Sequence, residues 1–257
     1  MSASPAIADY TKYNHRMDLS MVDKMFFVDK IRPDLVVDFG CASGTLLRNL
    51  KSLNPDAAVL GYDNDPKMAQ HSTDDVLIYS NWKAVENLVL SFKRPALILS
   101  SVIHEVFHYS GRTEIDEFWN MVFNTGFEYI VIRDMVPSRA VDRASCPNDV
   151  KKIYYKFLGT KLLNDFEAQW GNIESNRNLI HFLLKYKYAE PNWEREVREN
   201  YIPLNRETLL SKIPMNYDVV FHEHYVLPYI HNMVKSEIGI DMKDPTHIKL
   251  ILKRITL

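Results

Sequence analysis

Residues Ser100 to Glu114 read SSVIHEVFHYSGRTE, and within them His104-Glu105-Val106-Phe107-His108 spells H-E-x-x-H. On a helix that spacing sets two histidines one turn apart on one face, where they can hold zinc while the glutamate acts as base. Gly111 and Glu114 stand where a longer form of the pattern has its glycine and its third ligand. The residues before His104 oppose that chemistry. KRPALILSSVI, Lys93 to Ile103, is a short apolar run opened by Pro95 with no helix cap and no polar face, and the next helical stripe begins only at Thr113. The stretch therefore reads as the exit of a strand with at most one turn around HEVFH. A zinc peptidase is set aside, and no metal is expected. What remains is a His-Glu pair at a strand end, whose bland role is to satisfy donors and acceptors there.

The elements that must position this pair alternate along the chain. Met21, Val22, Met25, Phe26 and Val28 fit a helical face, and LVVDF at Leu35 to Phe39 reads as a first strand. A glycine turn follows, then a helix carrying Leu46, Leu47 and Leu50 that stops at Asn54-Pro55. AAVLGYD is a second strand, and Asp65-Pro66 an N-cap with proline at the first helical position. VLIYS, PALILSS and EYIVIRD supply strands three to five, separated by helices at WKAVENLVLSF and at the stripe Ile115, Phe118, Trp119, Val122 and Phe123. Thr113 and Asp116 form a capping-box-like pair for the latter. YDVVFHEHY and HIKLILKRI close the chain in direct succession with only a short stretch between them. Near-continuous apolar runs suit a parallel sheet buried on both faces.

The turn after the first strand has its own chemistry. VVDFGCASG, Val36 to Gly44, follows a strand and opens a helix, so glycines admit a ligand close to the backbone and the helix presents its N–H groups. Asp63 ends the next strand, where a carboxylate can accept from ribose hydroxyls. A dinucleotide-binding domain uses the same turn.

VVDFGCASG resembles motif I of the class I S-adenosylmethionine-dependent methyltransferases, D/E-x-G-x-G-x-G, and GYDNDPKM is similar to their second motif; Ala42 stands where a middle glycine is common. The resemblance spans roughly Val36 to Asp134 and the closing strands. It implies S-adenosyl-L-methionine as cofactor, with Asp38, Gly40, Ala42 and Gly44 around the methionine moiety and Asp63, beside Asn64, on the ribose. It further implies adenine contacts from Ser80, Asn81 and Trp82, and places Ser100 and Ser101 at the cofactor. The expected fold is a Rossmann-like, seven-stranded, mostly parallel sheet with an antiparallel last strand, helices on both faces and a helical cap inserted between strands five and six. As one domain it divides into an N-terminal helical segment 1–34, a cofactor-binding core 35–134, a cap 135–214 and a closing pair 215–257.

In that setting His104 and Glu105 stand near the methyl donor. In-line transfer to an acceptor needs alignment, removal of a proton and exclusion of water. An imidazole, with an ordinary pKa of about 6.5, makes His104 the expected general base, with Glu105 orienting it or fixing substrate. Arg133 and Asp134 at the end of the fifth strand, with His108 and Tyr109 as pocket wall, are the expected substrate contacts. Tyr10, Tyr13 and Arg16 are read as a segment folding over the cofactor.

Composition narrows the substrate. A net charge of -2 over 257 residues gives no global basic field for nucleic acid. Only Cys41 and Cys146 occur, with no apolar leader at the N-terminus and no membrane span, so a reducing cytoplasmic setting is expected. The cap interleaves Lys and Arg with Phe157, Phe166, Trp170, Phe182 and Trp193, a pattern that can stack bases, yet such spacing is also that of a helical core; NWEREVREN reads as a charge-balanced solvated helix. No N/D-P-P-Y/F follows the fourth strand, and Cys146 lies far beyond the fifth, so base-amine and C5-pyrimidine chemistry lack their residues. The expected substrate is a small polar molecule enclosed under the cap. The alternatives are an RNA or DNA methyltransferase and a non-catalytic, cofactor-binding partner subunit. The oligomeric state is not legible.

Overall fold

The alternation of strands and helices is realised as one seven-stranded sheet in a computed structural model that describes residues 20–188 and 192–255. Tyr10, Tyr13 and Arg16 lie outside the described residues. The strands are β1 (Leu35–Phe39), β2 (Ala58–Tyr62), β3 (Leu77–Tyr79), β4 (Pro95–Ser100), β5 (Tyr129–Met135), β6 (Tyr217–Tyr225) and β7 (His247–Arg254). Their order is β3-β2-β1-β4-β5-β7-β6, parallel except that β7 runs antiparallel to both β5 and β6.

Alternate residues of each central strand feed opposite cores, as the two-residue period requires. Val37, Phe39, Leu97, Leu99, Ile130 and Ile132 pack with Phe118 and Val122 of a helix at Arg112–Asn124. Val36, Ile98 and Val131 pack with Leu46, Leu47 and Leu50 of the helix at Thr45–Leu53. Each such side chain contributes about 1.5–3 kcal/mol on burial. Both faces are thereby covered, which is why the runs carry no polar alternation.

The helices that follow in chain order are α1 (Met21–Lys24), α2 (Thr45–Leu53), α3 (Trp82–Val89), α4 (Ile103–Tyr109), α5 (Arg112–Asn124), α6 (Pro147–Phe157), α7 (Lys161–Trp170), α8 (Asn176–Lys185), α9 (Trp193–Glu196), α10 (Arg206–Ser211) and α11 (Pro228–Ile238). Three differ from the sequence expectation. The first stops after one turn, although Phe27 and Ile31 beyond it are still buried. HEVFH is wholly helical, inside α4. The start of α5 is fixed by Glu114, whose Oε2 accepts the Gly111 N–H at 2.7 Å, and not by Thr113 and Asp116.

The closing strands are not in direct succession. The 11-residue helix α11 lies between them, opened by Pro228 at its first position, and buries Ile230, Val234 and Ile238 at i, i+4 and i+8. These join Ile153, Phe157, Leu163, Phe166 and Phe182 of α6, α7 and α8 in the core of the cap. The cap is therefore built from the segment after β5 together with the segment after β6. No helix of the described residues is long and apolar enough to cross a membrane.

Candidate active site

The chain leaves β1 through a turn in which Gly40, Ala42 and Gly44 all have positive φ, +73°, +46° and +80°. A Cβ on Gly40 would stand 2.8 Å from Val102 Cγ2, so this turn lies hard against the entry to α4. Asp63 ties it down. Its Oδ2 accepts the Ala42 N–H at 2.9 Å and its Oδ1 accepts the Asp65 N–H at 3.0 Å. Each oxygen keeps a lone pair, and the residue is half-buried. Burial raises its carboxyl above the ordinary range against those two hydrogen bonds. Asp38 is buried, and burial, with Asp63 adding and Lys24 of α1 opposing, pushes its carboxyl up to about 7.

The other cofactor positions are placed less uniformly. Asn64, Ser80 and Asn81 are exposed, and the Asn81 side chain accepts the Lys83 N–H at 2.9 Å as the cap of α3. Trp82 is half-buried, its ring 5.5 Å from Phe39 and 5.1 Å from Tyr62. Ser101, at φ +57°, is the bend between β4 and α4; its N–H donates to the Arg133 carbonyl and its Oγ accepts from Arg133 Nη1, both at 2.8 Å. Ser100 is half-buried beside it.

Past Ser101 a cavity of about 140 Å³ opens between the sheet edge and the cap. Its apolar lining includes Leu184, Leu227, Ile230 and Met233 of the cap. Its polar lining includes Ser101, His104, Glu105 and Arg133 from the sheet side and Arg195 and Glu199 from the cap. Lys24 belongs both to this cavity and to the surroundings of Asp38, the residue two before Gly40 of the turn.

His104 is held from two sides. Its Nδ1 lies 2.7 Å from Asp134 Oδ1, and its Nε2 faces Glu199 Oε1 at 3.5 Å. Burial alone would lower its pKa; the Asp134 carboxylate and then Glu199 outweigh it and hold the imidazole up at about 10. An imidazolium has no lone pair for a proton, so the raised pKa opposes the expected base role. Burial, and then the charge of Glu199, raise the Glu105 carboxyl. Arg195 spans the carboxylates, 3.7 Å from Glu105, 3.4 Å from Glu199 and 2.9 Å from Glu196.

Three substrate expectations are corrected. Asp134 is fully buried and spends its oxygens on the N–H groups of Ile103 and Met135, both at 2.7 Å, besides His104, so it anchors α4 instead of meeting a substrate. His108 and Tyr109, at the far end of α4, ring against ring at 4.5 Å, do not line the cavity. Arg133 does line it, while its Nε donates to Asp23 at 2.8 Å.

Glu196 and Glu199 are buried, which overturns the solvated reading of NWEREVREN. Buried Lys185 explains how they are held, since its ammonium donates to the carbonyls of both and sits 3.8 Å over the Tyr201 ring. The available signal was the spacing of Trp193, Val197 and Tyr201, three apolar residues at i, i+4 and i+8 on one face of that segment.

No protein-family model and no curated protein matches the sequence. Several solved structures are similar to it. The plantazolicin methyltransferase BamL, in complex with a triazolic desmethylPZN analog and SAH, is 10% identical over 96% of this chain and 90% of its own, with a TM-score of 0.46. A SAM-dependent methyltransferase from Archaeoglobus fulgidus is 13% identical over 96% and 100%, also at 0.46. The small RNA methyltransferase HEN1 is 11% identical over all of this chain and 27% of its own, again at 0.46. The fold rests on the chain's own strand order. With β7 antiparallel between β5 and β6, that order makes a Rossmann-like, mostly parallel sheet with an antiparallel last strand.

Proposed function

We propose that this chain is an S-adenosylmethionine-dependent methyltransferase whose acceptor is a small polar molecule enclosed between the sheet edge and the helical cap. The observation that carries this is the left-handed turn Gly40-Ala42-Gly44 closed by Asp63 on the Ala42 N–H, in a sheet of that strand order. The residues present fit the cofactor. Asp63 retains lone pairs for ribose hydroxyls, the start of α2 carries no side-chain cap, and half-buried Trp82 stands near the end of β3. Bound S-adenosylmethionine supplies an electrophilic methyl group.

The chain's own part is to bind, orient and exclude water. His104 and Glu105 are the groups we place beside the acceptor, with the apolar lining holding its body. A small acceptor is favoured over nucleic acid by the cap's aromatics. Phe157, Phe166, Phe182 and Trp193 are buried in the cap's own core and are not offered for stacking.

Titration calorimetry with S-adenosylmethionine tests the cofactor assignment, and radiolabelled methyl transfer to a panel of small acids, amines and alcohols tests the reaction. Saturable binding that Asp63→Ala weakens at least tenfold, and transfer that Glu105→Gln abolishes with binding retained, are expected. Binding of a nicotinamide dinucleotide in place of S-adenosylmethionine would falsify the assignment.

A further inference from the structure

We propose that His104 Nε2, Glu105 and Glu199 bind one divalent first-row cation in this cavity. They are the one group of three such side chains, among the described residues, whose ligand atoms all lie within 4.8 Å of one another. The set takes His104 and Glu105 from the H-E-x-x-H pattern but neither His108 nor Glu114. The third member comes from the cap, far along the chain.

Several independent observations point to a cation here. Glu199 is 2% exposed, yet its Oε1 is buried and accepts no hydrogen bond among the described residues. That oxygen faces Nε2 at 3.5 Å, too far for a good hydrogen bond. Two ligands each about 2.1 Å from one metal, at neighbouring coordination positions, stand roughly 3.0–3.4 Å apart. The gap is thus of the size a metal bridges. The Asp134 carboxylate on Nδ1, at 2.7 Å, is the outer partner that metal-bound imidazoles use, because it fixes the tautomer that leaves Nε2 as donor. Arg195 likewise holds the second oxygen of Glu199 at 3.4 Å.

Charge fits as well. The carboxylates of Asp134 and Glu199 face His104, and those of Glu105, Glu196 and Glu199 surround Arg195, an anionic setting that suits a cation. One nitrogen and two carboxylates suit Mn²⁺, Fe²⁺ or Zn²⁺, and no thiolate stands among the cavity residues to draw softer ions. Glu105 is 30% exposed along its side chain and faces the cavity, so positions on the ion would be open to an oxygen-bearing acceptor.

The inference goes beyond the methyltransferase reading and is tested without cofactor. Chelator-stripped full-length protein is titrated with Mn²⁺, following the free-ion signal by electron paramagnetic resonance, and with Zn²⁺ by calorimetry. One site per chain is expected, weakened at least tenfold by Glu105→Gln and by Glu199→Gln. Glu105 is the less buried of the two, so E105Q decides the matter if E199Q fails to fold. The absence of a saturable site for either ion, or a site whose affinity E105Q leaves unchanged, overturns the proposal and leaves the protonated His104 as occupant of the gap. S-adenosylmethionine binding, measured separately on the stripped protein, tells this failure from a failure of the methyltransferase assignment.

Discussion

Asp134 and His104 meet through two bonds of different kinds: Asp134 Oδ1 lies 2.7 Å from the His104 ring nitrogen Nδ1, while Oδ2 faces the backbone N–H of the same histidine at 3.4 Å. With Ile103 N–H at 2.7 Å on that second oxygen, one carboxylate from β5 both caps α4 and aims the imidazole. Chain start and side-chain direction are set by a single group.

Asp134→Asn should therefore disturb stability as well as the site. It keeps the shape but replaces one acceptor oxygen by a donor facing N–H groups, and leaving such buried partners unsatisfied costs about 1–3 kcal/mol. Urea unfolding checks this; an unchanged midpoint would show that α4 is anchored elsewhere.

Ala42 holds φ +46° in a turn otherwise made by glycines. The left-handed region costs an L-residue roughly 1–2 kcal/mol, and glycine gives part of that back as lost unfolded-state freedom. Ala42→Gly is expected to raise stability by about 0.5–1 kcal/mol, with cofactor affinity retained because the N–H to Asp63 remains. A drop in stability would mean that the methyl group packs usefully.

Gly61 has no such freedom to lose. A Cβ there would lie 2.5 Å from Cys41 Sγ, within the glycine turn after β1. Gly61→Ala is expected to cost about 1–3 kcal/mol by overpacking and to weaken cofactor binding by shifting Cys41. Calorimetry on the folded variant reads the second effect separately from the first.

Asp38 gives a pH dependence with a definite sign. Its folded pKa of about 7 lies above the unfolded value of about 3.9. Between them the folded chain keeps a proton that the unfolded chain has released, so the stability this group contributes is full below about pH 4 and lost as pH rises through about 7. Asp38→Asn cannot ionise, and its stability relative to the parent protein should climb across that window. A difference between the two that stays flat from about pH 4 to pH 8 counts against the buried, raised carboxyl.

Local periodicity made the sheet legible. Leu35 to Phe39, Pro95 to Ser100 and the stripe on α5 signal their own structure because strand and helix burial repeat over a few residues. The turn was legible for the same reason, since positive φ concentrates on the short motif that holds Gly40 and Gly44. Glu199 was not, because what buries it is remote: His104 lies 95 residues earlier in the chain, and an i,i+4 partner in Arg195 makes the segment look like an exposed charged helix. The helix α11 was missed for a different cause. Its apolar face is only three residues wide, Ile230, Val234 and Ile238, and has meaning only against the cap core it completes.

That last feature bears on how the molecule is made. The cap's core draws Val234 and Ile238 from a stretch synthesised well after Phe157 and Phe166. Until the chain has grown past α11, this core lacks Val234 and Ile238, and its closure waits on loop formation across about 70 residues. Late assembly of the cap, after the early strands have paired, is built into the order of the sequence.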